Sequence, residues 1–215
     1  MSGLLFTFEG CDGSGKSTQA EMLKNRLESR YPKLKVALTR EPGGTTLGQE
    51  ITRIVKAAGE NALVARAELL LFAADRAQHI EEKLRPLIAE DWVVISDRYA
   101  DSTLAYQGYG RGLDLQLVQQ TLDLAVAGLW PDVTLLLDVP PEIATARRQE
   151  GPTDRIEQEE VDFHRRVREG YLTIAGQEPE RVCIIDGTQA PDDVSDDILS
   201  LIEPVLYTHN GGRLV

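Results

Sequence analysis

The segment Gly10-Cys11-Asp12-Gly13-Ser14-Gly15-Lys16-Ser17 sets two glycines, a lysine and a hydroxyl at the spacing G-x4-G-K-[ST]. That spacing suits the binding of a phosphate chain. The glycines let successive backbone N–H groups turn toward one anion, and the start of a following helix adds a favourable dipole. Lys16 is placed to reach β- and γ-phosphates, and Ser17 to offer its hydroxyl to magnesium, with Thr18 continuing the cradle. An apolar run precedes the loop and a helical pattern follows it, which is the context such a loop requires. The motif specifies nucleotide binding but not what is done with the nucleotide. Cys11 reads as a spacer whose backbone matters, since no partner thiol stands nearby in the sequence.

A phosphotransferase needs a second pocket, and three segments could build it. Arg40 follows a strand-like run in Thr39-Arg40-Glu41-Pro42-Gly43-Gly44-Thr45, and its planar donor fork suits a phosphate. The other reading is a surface ion pair in a Gly/Pro turn, in which Pro42 could be cis. Phe72 and Arg76 stand four apart and share a helix face, where a ring and a guanidinium could stack on a base and bond its edge. Such a phenylalanine also suits plain core packing. Asp97-Arg98 follows an apolar run, where a magnesium-linked carboxylate would sit; the other, weaker reading is a helix-capping pair. If the next stretch is helical, Arg98, Ser102 and Tyr106 fall on one line.

A fourth segment, Arg147 to Glu157, holds Arg147, Arg148 and Arg155 around Gly151-Pro152. The expectation is a short mobile lid at about 147–157 that closes over the donor and excludes water. An arginine laid on a moving phosphoryl group contributes about 10³–10⁵ in rate. A solvated charged loop is the alternative.

These segments must be held by ordered elements. Apolar, β-branched runs predict strands over Leu4–Phe8, Val36–Thr39, Trp92–Ser96, Val133–Leu137 and Val182–Ile185. Helical periodicity predicts helices over Ser17–Arg30, Thr46–Ala58, Ala62–Leu84 (ending before Pro86), Asp114–Ala127, Pro141–Arg148, Ile156–Ala175 and Asp192–Leu206. The tail from Thr208 carries no pattern. Alternating strands and helices predict an α/β fold with a five-stranded parallel sheet covered on both faces, and one domain over 1–215. Ligands in such sheets bind beyond the carboxyl ends of the strands, and the polar residues that directly follow strands are Glu9 to Lys16, Arg40-Glu41, Asp97-Arg98 and Asp138.

Lys and Arg total 23 against 35 Asp and Glu, a net charge of −12. That disfavours a nucleic acid or an anionic membrane as partner, and makes clustered arginines notable. No apolar run approaches the ~18 residues of a membrane span. The start Met1-Ser2-Gly3 lacks a signal-peptide pattern, so a cytoplasmic location is expected. Two cysteines, Cys11 and Cys183, give no disulfide framework or metal-ligand spacing.

Taken together, Phe8 to Gln19, Thr39 to Thr45, Leu70 to Arg76, Asp97 to Gln107 and Asp154-Arg155-Ile156-Glu157 resemble the thymidylate kinase family. The stretch Asp97-Arg98-Tyr99 with Ser102 and Ala105-Tyr106-Gln107 is the most specific part. The resemblance implies a P-loop kinase fold, magnesium, ATP as donor and thymidine monophosphate as acceptor. It implies that Asp12 contacts the thymidylate 3′-hydroxyl or phosphate. Arg40 and Arg98 would hold the 5′-phosphate. Phe72 would stack on thymine, and Arg76 would bond a carbonyl of the base. Ser102 or Thr103, with Gln107, would complete the base contacts, and Tyr106 would crowd the 2′ position. Ser17 and Asp97 would organise magnesium; Arg147, Arg148 and Arg155 would be lid cations, and Glu157 a lid carboxylate. Gly13 in the loop with arginines in the lid resembles the mostly bacterial kind. A homodimer packed through helices is implied too.

The expected reaction is in-line transfer of the γ-phosphoryl group to the 5′-phosphate without a covalent intermediate. Lys16, magnesium, Arg98 and the lid arginines would offset the repulsion of two anions. Two other readings stay open on the sequence. One is a kinase for another nucleotide or a nucleoside. The other is a nucleotide-switch protein, against which the chain lacks Asn-Lys-x-Asp and has Asp97-Arg98-Tyr99-Ala100 instead of Asp-x-x-Gly.

Overall fold

Five apolar runs form strands β1 (Leu4–Glu9), β2 (Val36–Arg40), β3 (Val93–Asp97), β4 (Val133–Asp138) and β5 (Val182–Asp186). They pair in parallel in the order β2-β3-β1-β4-β5, with Phe8 level with Asp97 and Arg40 also level with Asp97. The computed structural model describes residues 3–57, 63–147, 155–209 and 211. Because the chain leaves central β1 toward β2 and later crosses to β4, the sheet has a switch point between β1 and β3. A crevice opens there beyond the strand ends, and the phosphate loop and Arg98 both flank it.

The helices are α1 (Lys16–Arg30), α2 (Thr46–Lys56), α3 (Ala65–His79), α4 (Arg85–Ala89), α5 (Ala100–Thr103), α6 (Leu115–Val126), α7 (Pro141–Arg147), α8 (Val161–Gln177) and α9 (Pro191–His209). Leu4, Phe6 and Phe8 point to one face and pack on Leu23 and Leu27 of α1 and Ile198 and Ile202 of α9. Leu5 and Val94 point to the other, against Leu69 of α3 and Val118 and Leu122 of α6. A third cluster joins Leu136 and Val182 to Phe163, Val167 and Tyr171 of α8. Helices therefore cover both faces. Among the described residues no helix is long and apolar enough to cross a membrane.

Several predicted boundaries change. The helix expected to stop before Pro86 runs on, because a π-helical turn at Ile80–Leu84 intervenes and Arg85 N–H bonds Ile80 O, five residues back. The wider turn removes the clash a proline ring makes with the carbonyl four residues earlier. The helix expected from Ile156 starts at Val161, after a turn, and the last helix reaches His209 rather than ending at Leu206. The stretch after Arg98 is helical from Ala100 and becomes a second π-helical segment, Leu104–Gly110, with Arg111 N–H bonded to Tyr106 O at 2.8 Å. It packs closely on α8: a Cβ built on Gly110 would stand 2.7 Å from the Phe163 ring, and one on Gly170 2.7 Å from Tyr109.

Candidate active site

The chain leaves β1 through Gly10, whose φ is +136° and whose missing Cβ would stand 2.6 Å from Leu137 O. Only glycine suits that path. Gly15, at φ +96°, begins α1 without a side-chain cap, so the first helical N–H groups remain open to an anion. Lys16 curls back over the loop and donates from Nζ to Cys11 O at 2.7 Å. Burial, and the nearby Arg98, push its amine down to about 8. The Cys11 thiol is moved the other way by burial, up to about 11, and so stays protonated.

At the end of β3, Asp97 accepts a hydrogen bond from Ser17 Oγ. The two expected magnesium ligands are thus side by side at the mouth of the phosphate loop. Arg98 follows in the left-handed region at φ +73°, an uncommon place for a residue with a Cβ. Contacts on every side hold it there. Its N–H donates to Phe8 O and its carbonyl accepts from Ser96 Oγ. Its guanidinium donates to Asp12 Oδ1 at 2.6 Å, Ser102 Oγ at 3.0 Å, Gly10 O at 3.2 Å and Tyr106 OH at 3.2 Å. Burial alone would raise the Asp12 carboxyl; Arg98 and Lys16 outweigh it and hold it well below the usual range.

Beneath Arg98 lies Glu9, fully buried. It accepts from the N–H groups of Tyr99 and Ser102, from Ser102 Oγ and from Tyr171 OH. Burial, then Asp101, push its carboxyl up to about 7 against those hydrogen bonds. Glu9 was legible only as a polar residue at a strand end, and Tyr171 lies 162 residues away, so neither was identified from the sequence.

The acceptor end is framed by β2 and α3. Arg40 is exposed, and its guanidinium makes no hydrogen bond or ion pair among the described residues. Glu41 turns inward to Arg76 Nε at 2.8 Å and His79 Nδ1 at 2.9 Å. The Glu41–Pro42 peptide is cis. Asp75 accepts from Gly43 N at 3.0 Å and ties this turn to α3; burial and Glu41 push its carboxyl up to about 6. Arg76 is buried and spends three donors on the protein: Glu41, Thr103 Oγ1 and Tyr99 O. Phe72 stands one turn before it on α3, half-buried.

One cavity of about 600 Å³ is lined by Asp12 to Thr18, Arg40, Phe72, Arg76, Asp97, Arg98, Ser102, Thr103, Tyr106 and Gln107, and also by Arg147 and Glu157. Gly10 and Cys11 contribute carbonyls behind it. Arg147 donates to Gly187 O at 2.6 Å, in the loop after β5. The remaining lid cations differ. Arg148, with 149–154, lies outside the described residues. Arg155 is not part of the lining: it pairs with Glu68 and donates to Val55 O. The buried Glu68 carboxylate captures it, and no sequence pattern announced that partner. Arg111, also missed, shares Glu68 with it and pairs with Glu159.

The thymidylate kinase family model matches residues 8–198. The chain is 46% identical over 220 residues to a thymidylate kinase of Nitratidesulfovibrio vulgaris, covering 99% of this chain and 97% of the relative. It is 48% identical over 210 residues to that of Oleidesulfovibrio alaskensis, covering 94% and 98%. Among solved structures, a thymidylate kinase of Ehrlichia chaffeensis superposes with a TM-score of 0.79 at 33% identity, covering 94% of this chain and all of that one.

Proposed function

The chain belongs to the thymidylate kinase family, which transfers a phosphoryl group from ATP to thymidine monophosphate, and we propose how its residues divide that work. The observation that carries the reading is the shared hollow: Lys16, Asp97 and Arg98 line one cavity together with Arg40 and Phe72. The open N–H groups of α1 and Lys16 hold the β- and γ-phosphates of ATP. Arg98 and Arg40 hold the 5′-phosphate of the acceptor, Asp12 fixing Arg98 between them. The acceptor oxygen is already nucleophilic near neutral pH, so the chain's task is alignment and charge neutralisation. Phe72 stacks on the base, Arg76, Thr103 and Gln107 read its edge, and Tyr106 narrows the space beside the sugar. Arg147 closes the donor side.

Ser17 and Asp97 present two adjacent oxygens, a fit for a hard divalent cation that keeps waters and substrate phosphates as its other ligands. Bound there, magnesium supplies charge neutralisation on the donor phosphates. We place the protein in the cytoplasm and assign it a homodimer, for which exposed Ile54, Leu70 and Leu124 on α2, α3 and α6 are available apolar contacts. Light scattering on the purified chain checks the dimer.

The test of the site is Lys16→Ala with a panel of nucleoside monophosphates. The variant keeps the wild-type melting temperature and loses nearly all ADP release, and thymidine monophosphate is the preferred acceptor of the wild type. A variant with unchanged turnover ends the phosphate-loop assignment.

A further inference from the structure

Glu68 sits on α3 with 1% of its surface exposed, and every group that meets its carboxyl is a donor. Gln107 Nε2 donates to Oε1 at 2.7 Å; Arg111 donates from Nε at 3.1 Å and from Nη2 at 3.2 Å; Arg155 Nη2 donates to Oε2. Burial alone would favour the neutral acid, but the bonds from Arg111, Gln107 and Arg155 outweigh it and hold the carboxyl below its usual range. An ionised carboxylate only accepts. It cannot face the oxygen of a side-chain amide, so it must take the NH₂ of Gln107. The two ends of a glutamine amide are otherwise interchangeable in shape.

The consequence lies on the cavity side. Gln107 is buried and lines the hollow. Its Oε1 receives no hydrogen bond from the described residues, so the amide offers an acceptor inward. Thymine and uracil carry hydrogen on N3; cytosine has a bare acceptor there. We infer that Glu68 is a positioning residue for base choice: by fixing the rotation of the Gln107 amide it makes the pocket accept an N3–H donor and refuse an N3 acceptor. The inference rests on the reading above, in which Gln107 meets the edge of the base. A carboxylate that only anchored Arg111 and Arg155 would serve all acceptors alike.

The experiment uses the full chain with ATP and three acceptors: the monophosphates of thymidine, deoxyuridine and deoxycytidine. Glu68→Gln replaces the anion with an amide that offers either an acceptor or a donor, so Gln107 is free to turn. The thymidine-to-deoxycytidine ratio of kcat/KM then falls about tenfold or more, while the thymidine-to-deoxyuridine ratio stays within about twofold of wild type. Discrimination falls without vanishing, because Arg76 still opposes the cytosine amine. Glu68→Asp keeps an anion between the two arginines but retracts it from the amide, and reads the same ratios should the first variant not fold. If all three acceptors lose the same factor, Glu68 is merely structural and the inference is overturned. Gln107→Ala separates the premise. A wild-type cytosine preference in that variant means the base is not read at Gln107, and the pocket reading itself fails. A relaxed preference there, with Glu68→Gln still discriminating, overturns only the role of Glu68.

Discussion

Arg98→Lys keeps the positive charge and a Cβ, and so isolates what the planar fork contributes. The left-handed backbone, a strain of roughly 1–2 kcal/mol, is the same for both residues. The fork now serves Asp12, Ser102, Gly10 and Tyr106 at once. A lysine can keep Asp12 but not the whole set, since its three donors share one nitrogen. Losing two neutral partners at about 1 kcal/mol each predicts a stability loss of about 2 kcal/mol, read as a lower melting temperature. The larger effect is on turnover, because Arg98 faces the charge that develops between donor and acceptor. Removing one such oriented donor costs about 10²–10³, or about 3–4 kcal/mol of barrier. A coupled ADP-release assay with thymidine monophosphate varied at saturating ATP measures kcat/KM directly. A folded Arg98→Lys enzyme within about threefold of wild type would refute the claim that fork geometry, rather than charge alone, holds the acceptor phosphate.

Other outcomes follow from the same contacts. Arg155→Ala lowers kcat more than it raises KM for thymidine monophosphate if Arg155 leaves Glu68 during the reaction; equal small changes in both restrict it to the Glu68 pair. Glu9 binds its proton more tightly folded (about 7) than unfolded (4.5), so the stability it contributes is complete below pH 4.5 and is lost as pH rises through 7. That loss is about 3 kcal/mol. Glu9→Gln removes this slope, seen as a flatter melting temperature between pH 5 and 8; an unchanged slope assigns the effect to another group. Asp97→Asn raises the magnesium concentration needed for half-maximal rate, measured by titration at fixed ATP, and an unaltered requirement excludes Asp97 as a ligand. Gly110→Ala drives a methyl into Phe163, where overpacking costs about 1–3 kcal/mol by denaturant titration.

The parts of the molecule that were legible in the sequence are those specified over short distances. Gly10 to Ser17 encodes its own loop, since glycine conformations and a helix start fix the anion cradle locally. The five strands announce themselves because a parallel sheet covered on both faces needs unbroken apolar runs. The line of Arg98, Ser102 and Tyr106 was readable as soon as the stretch was helical, and Arg98 does bond both. What was not legible depends on distant partners or on a register that periodicity does not carry. Glu9 needs Tyr171, and Gln107 needs Glu68; nothing local ties either pair. Pro86 looked like a stop because the π-helical turn that accommodates it has no sequence pattern of its own. Arg155 read as a lid cation because charge runs show sign but not destination, and a buried carboxylate on α3 redirects it.

The central claim is that donor and acceptor phosphates meet in one hollow. A single molecule joining adenosine to thymidine through five phosphates tests it directly, by steady-state inhibition. The account predicts competition against both ATP and thymidine monophosphate in the wild type, and weaker calorimetric binding of the same molecule to Lys16→Ala and to Arg98→Lys alike. Competition against only one substrate would place the two phosphates in separate sites and contradict it.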